Sequence, residues 1–131
     1  MKRWAILFGA LLLVAGVLGF VPALCPDGKL LGVFAVDTMH NLFHVATGIL
    51  GIGLGVAGDG PARNYFRGVG IVYVVLTALG LVAGRDGQLM GMAHNTADIA
   101  LHALIAIATL ALGFGGARHT PTRRGPDLRG V

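Results

Sequence analysis

At 131 residues, with 55% hydrophobic and only 12% charged side chains and a mean hydropathy of +0.77, the chain has too little charge to cover a water-facing surface, where about a quarter of residues are ordinarily charged. Its formal charge of +4 does not point to nucleic acid, because Lys and Arg sit between apolar runs instead of gathering along one face. The single Cys25 excludes an internal disulfide and any Cys-based zinc site.

A helix crosses the hydrocarbon core with about 20 mostly apolar residues, within a range of roughly 17–25. The first such run, Trp4 to Val21, follows Lys2-Arg3. Together with Val21-Pro-Ala23 it also satisfies the pattern of a cleaved signal peptide, whereas a lipoprotein reading at Cys25 is opposed by the bulky Leu24. Two prolines and an Asp-Gly pair in Pro22-Ala-Leu-Cys-Pro-Asp-Gly28 then break any helix. The second span is expected over Met39 to Ala57, ended by Asp59-Gly-Pro61, and the third over Gly68 to Ala83, ended by Gly84-Arg-Asp-Gly87. Ala97 to Gly115 supplies the fourth. From His119 to Val131, Pro121, Pro126 and several arginines read as a disordered basic tail. The expected organisation is a four-helix transmembrane domain over 1–116 and a basic cytoplasmic tail over 117–131.

Orientation follows from basic residues, which are in excess on cytoplasmic loops. Lys2, Arg3, Arg63, Arg67, Arg118, Arg123, Arg124 and Arg129 fall on one side, against Lys29 and Arg85 on the other. Both termini are therefore expected in the cytoplasm, with the connections Leu30 to Thr38 and Arg85 to Thr96 facing outward.

The chain also resembles itself. Gly28-Lys-Leu-Leu-Gly32 matches Gly87-Gln-Leu-Met-Gly91, Thr38 matches Thr96, His40 matches Asp98 and His44 matches His102. Upstream, Gly9 and Gly19 match Gly70 and Gly80. The fold expected is an all-α membrane protein, a four-transmembrane-helix bundle built from two similar helical hairpins in parallel orientation, related by an approximate twofold axis along the membrane normal. A retained first span fits that repeat better than a cleaved one does.

Ionisable residues within a span cost ~2.5–3.5 kcal/mol at the helix centre, so they turn to the bundle interior or to water. On the second span His40, His44, Thr47, Gly48, Gly51 and Gly55 share one face, and on the fourth Asp98, His102, Ala106, Thr109 and Gly113 form an equivalent stripe. The two stripes are expected to face each other or share the bundle centre. Asp37 or Thr38, and Asn95 or Thr96, suit the N-cap positions. As ligands, His40, His44, Asp98 and His102 make a metal set suited to zinc, copper or nonhaem iron. A second version uses His44 and His102 alone as axial ligands of a haem. A third adds Met90, Met92 and His94 as soft ligands for Cu(I).

The structural alternative has His40 and His44 bonding to Asp98, Asn95 or Asn41 and pinning the helices together, although such interhelical bonds average only ~0.6 kcal/mol. There is no serine for a Ser-His-Asp triad, no glutamate, and no phosphate-cradling loop.

The segments Phe34-Ala-Val-Asp-Thr-Met-His-Asn-Leu-Phe-His44, Thr47-Gly48 and Asn95-Thr-Ala-Asp-Ile-Ala-Leu-His102 resemble the domain of unknown function 4383 family of small bacterial four-helix membrane proteins. The similarity runs from Trp4 to Gly116. Ile99-Ala100 departs from the polar or aromatic residue that often follows the second motif's Asp. The resemblance implies a four-span fold in the bacterial inner (plasma) membrane and carries over no activity. On the residues alone, the leading reading is a structural or accessory inner-membrane subunit with an outward-facing His/Asp cluster. Metal or haem binding by that cluster is the runner-up, and a minimal transporter acting as an oligomer comes third. Partners expected are the lipid bilayer and either a second copy or a larger membrane complex, approached through Gly51 and Gly55 or Gly80 and Gly84.

Overall fold

The computed structural model describes residues 1–83 and 87–115. Gly84, Arg85 and the expected basic tail lie outside the described residues. Helix α1 spans Lys2–Leu18 and is followed by two short 3-10 turns, Pro22–Leu24 and Pro26–Gly28. Strands β1 (Lys29–Leu30) and β2 (Phe34–Ala35) pair antiparallel and lead into α2, Thr38–Ala57. Then come α3 (Asp59–Ala83), the antiparallel pair β3 (Gly87–Leu89) and β4 (Met92–His94), and α4 (Thr96–Phe114). By length and hydropathy α2, α3 and α4 can cross a membrane. Helix α1, with 17 residues, is at the short end of the workable range of roughly 17–25.

The structure corrects two expectations about connections. The third helix begins at Asp59 and not at Gly68, because Pro61 falls in its first turn, where an amide has no intrahelical partner to lose. The reversal between α2 and α3 is carried by Gly58 alone, at φ 133, a conformation closed to side chains. The connections before α2 and α4 are not plain loops but small hairpins. Each turns at a non-glycine residue followed by glycine, both with positive φ: Leu31-Gly32 (53 and 72) and Met90-Gly91 (54 and 79). The second is a two-residue turn with the primed geometry that suits strand twist. The first holds one more residue, Val33, between its paired strands.

Helix α1 packs along α2 and α3 along α4, with further contacts of α3 to α2 and α1 joining the pairs. The glycines set these approaches. A Cβ on Gly9 would stand 2.6 Å from the Gly48 carbonyl and one on Gly48 would stand 2.5 Å from the Leu13 amide, while one on Gly55 would meet Ile6. On the other side Gly70 lies against Leu110 and Thr109, and Gly113 against Arg67. Of the two arrangements expected for the stripes of α2 and α4, facing each other or sharing the bundle centre, the glycines do not follow the first. Each is taken up by the neighbouring helix of its own pair, because close backbone approach is what small residues permit. Gly51 and Gly55 are buried inside the chain, as is Gly80 against Ile99, so these glycines are used internally.

The distribution of polarity is the reverse of a water-soluble fold. Leu11, Val56, Val82, Leu104 and Ile107 are each at least 65% exposed, while His40, Asn95, Asp98, His102 and Thr109 are buried. Apolar faces of that extent suit lipid and are not kept bare in water.

Candidate metal centre

The hairpin end of the molecule is held by side chains that cap one helix and reach across to the other half. Asp37 is the N-cap of α2: Oδ1 accepts from the His40 amide at 2.8 Å, and Oδ2 accepts from the Ala93 amide of β4 at 2.6 Å. Asn95 is the N-cap of α4 and forms a capping box with Asp98. The Asp98 carboxylate accepts from the Asn95 amide at 2.8 Å and from the Ala35 amide of β2 at 3.0 Å. Asn95 also donates through Nδ2 to the Val33 carbonyl at 2.8 Å. Each hairpin is thus laced to the other through a carboxylate, and the first turns of α2 and α4 are fixed side by side.

That clasp delivers three imidazoles to one point. His40 lies in the first turn of α2, His44 one turn deeper, and His102 one turn deeper than Asp98 on α4. One ligand nitrogen from each of the three lies within 4.8 Å of the other two. The His40 ring is 4.7 Å from His44 and 5.9 Å from His102, centroid to centroid. Nitrogens bound to a tetrahedral ion at about 2.0–2.1 Å stand roughly 3.4 Å apart, a separation not far below that of the set.

Hydrogen bonding assigns the rings. His40 Nδ1 lies 2.8 Å from the Ala93 carbonyl, which only accepts, so Nδ1–H donates and the neutral ring keeps its lone pair on Nε2. This carbonyl-oriented tautomer is the usual support of a metal-ligating histidine. His44 Nε2 is buried and has no hydrogen-bond partner among the described residues. The bonds expected from a pinning role, from His40 and His44 to Asp98, Asn95 or Asn41, are therefore replaced by a bond to Ala93 for His40 and by none at His44 Nε2.

Asp98 is placed differently from the three rings. It lines the same cavity of about 140 Å³ as His40, His44 and His102, and its Oδ2 accepts from two backbone amides. The group whose ligand atoms lie within 4.8 Å of one another consists of the three imidazoles. The space beside His44 and His102 is about 140 Å³, below the roughly 300–1,000 Å³ of an ordinary cofactor pocket.

Two residues near the rings had no or little weight in the sequence. Tyr73 of α3 is fully buried, packs edge-on to His102 at 5.0 Å, and its hydroxyl has no partner. The one signal for it was a phenol inside the apolar run Gly68 to Ala83. His94, at the end of β4, is 5% exposed and shares a small void with His40, His102 and Met92. Met92 and His94 point to one face because strand side chains alternate.

A family model described as a domain of unknown function (DUF4383) matches residues 2–115. No curated protein and no solved structure matches the chain.

Proposed function

The chain belongs to the DUF4383 family, and from that premise we propose that it is a four-span membrane protein that binds a transition-metal ion on His40, His44 and His102. The observation that carries the reading is the convergence of one ring nitrogen from each histidine within 4.8 Å, in a cluster where His44 Nε2 is buried with no bond among the described residues. A pin needs a hydrogen bond, whereas a ligand needs a free lone pair. Leaving a buried polar atom unpaired costs about 1–3 kcal/mol, which a bound ion would return. Imidazole suits zinc, copper, iron and nickel.

In this reading α1 is the fourth span. Its length of 17 residues reaches the lower limit of roughly 17–25, it seats Gly9 and Gly16 against α2, and it turns Leu7, Leu11 and Val14 outward. The excess of Lys and Arg in the sequence on the other side supports termini in the cytoplasm of a bacterial inner membrane, with the clasped hairpins at the outer face. The matched turns, caps and third helical positions support two related hairpins in parallel orientation, with the carboxylate at the cap in one half (Asp37) and three residues further on in the other (Asp98).

The test is metal analysis of protein purified in detergent, with Co(II) as a spectroscopic probe. One equivalent of Co(II) with visible ligand-field bands, lost in His44→Ala and His102→Ala, is the expected result. Absence of those bands in the wild-type protein after reconstitution returns the cluster to a packing role.

A further inference from the structure

Of the four methionines in the chain, Met39, Met90 and Met92 line one apolar cavity of about 560 Å³ between the hairpin end of α2 and α3. Met39 stands in the first turn of α2, Met90 at the tip of the second hairpin and Met92 at the start of β4, so three separate local structures bring the thioethers to one place. Met39 and Met90 are 55% and 74% exposed. Met92 is half-buried and also borders a second space, a void of about 10 Å³ shared with His40, His94 and His102. That void has about the room of one small ion or water. Met92 thus borders both the groove lined by Met39 and Met90 and the void lined by His94, His40 and His102.

We propose that Met39, Met90 and Met92 form a Cu(I) site at the surface that loads the histidine cluster behind it. This rests on the reading of His40, His44 and His102 as metal ligands and names the ion they receive. Three lines of chemistry select Cu(I). Thioether sulfur is a soft, neutral ligand that favours Cu(I) over zinc, iron or nickel. Both thioether and imidazole bind this ion, so it passes from one set to the other by ligand exchange, with no electron transferred and no bond made or broken besides those to the metal. Charge agrees as well. Three neutral imidazoles leave the ion's own charge in place, and the cost of burying charge rises with its square. Asp98 is the one carboxylate lining the cavity, and it balances a single positive charge.

The experiment uses the full chain in detergent, without oxygen, in a Cys25→Ala background that removes the only thiol. Cu(I) is supplied from a chromophoric Cu(I) chelator, and copper stoichiometry, transfer rate and X-ray absorption are recorded. The variant is Met39→Leu/Met90→Leu/Met92→Leu, a volume-conserving change that keeps the packing. Binding of Co(II), which ignores thioethers, reports the histidine cluster independently.

The expected result is copper–sulfur scattering in the parent protein, abolished in the triple variant, with Cu(I) transfer to the cluster slowed at least tenfold and Co(II) binding unchanged. Unchanged transfer with no sulfur scattering in the parent, alongside normal Co(II) binding, overturns the methionine site and leaves the histidine centre standing. Failure of the parent to bind either ion overturns both.

Discussion

Replacing His44 by leucine separates the two roles open to the histidine cluster, because they give opposite signs. In the metal-free protein the substitution removes a buried ring nitrogen with no partner, which relieves about 1–3 kcal/mol. It also removes the edge-on ring contact with His40 at 4.7 Å, an aromatic pair worth about 0.5–1.5 kcal/mol. The balance runs from about 0.5 kcal/mol less stable than the parent to about 2.5 kcal/mol more stable, centred on a gain of about 1 kcal/mol. Zinc at a hundredfold excess over its dissociation constant then stabilises the parent by about 2.7 kcal/mol and the two-histidine variant by far less, so the order of stability inverts. The assay is unfolding in mixed detergent with increasing dodecyl sulfate, followed by circular dichroism, once with chelator and once with zinc. A variant that is less stable than the parent in chelator by more than about 0.5 kcal/mol, with zinc shifting both equally, refutes the argument and shows His44 acting as a pin.

Three further outcomes follow from the geometry. Gly9→Ala forces a methyl to 2.6 Å from the Gly48 carbonyl and should cost about 1–3 kcal/mol in the same unfolding assay, whereas Gly53→Ala, with open space around it, should gain roughly 0.5–1 kcal/mol. Asp98→Asn keeps an oxygen facing the Ala35 and Asn95 amides but loses the charge, a cost of about 2 kcal/mol, and hydrogen exchange at those two amides should rise with it. Tyr73→Phe deletes a buried hydroxyl without a partner, so the metal-free protein should unfold at a denaturant concentration equal to or above that of the parent.

Much of this arrangement was legible in the amino-acid order because membrane cost and helical period act locally. The run of apolar residues gave the helices, and the spacing of His40, His44, Asp98 and His102 placed two in the first turn of a helix and two in the second. What was not legible depends on partners distant in sequence. Nothing in the glycine stripe of α2 says whether Gly48 meets α1 or α4, since small residues permit a close approach without choosing the helix that makes it. The hairpins were missed because Leu31 and Met90 hold positive φ, a conformation those side chains rarely signal. The position of Asp98 shows the same limit. Its type and place in the helix suggested a ligand, and nothing local announces that its Oδ2 accepts from the distant Ala35 amide. The place of Tyr73 and the groove that Met39 and Met92 both line depend on how α3 and β4 are set against α2, which no local pattern records.

X-ray absorption on zinc-loaded protein addresses the meeting of the three rings most directly. The account predicts nitrogen at about 2.0–2.1 Å with imidazole multiple scattering from three rings, falling to two in His102→Ala. A first shell of oxygen alone, or a spectrum unchanged by that substitution, would contradict it.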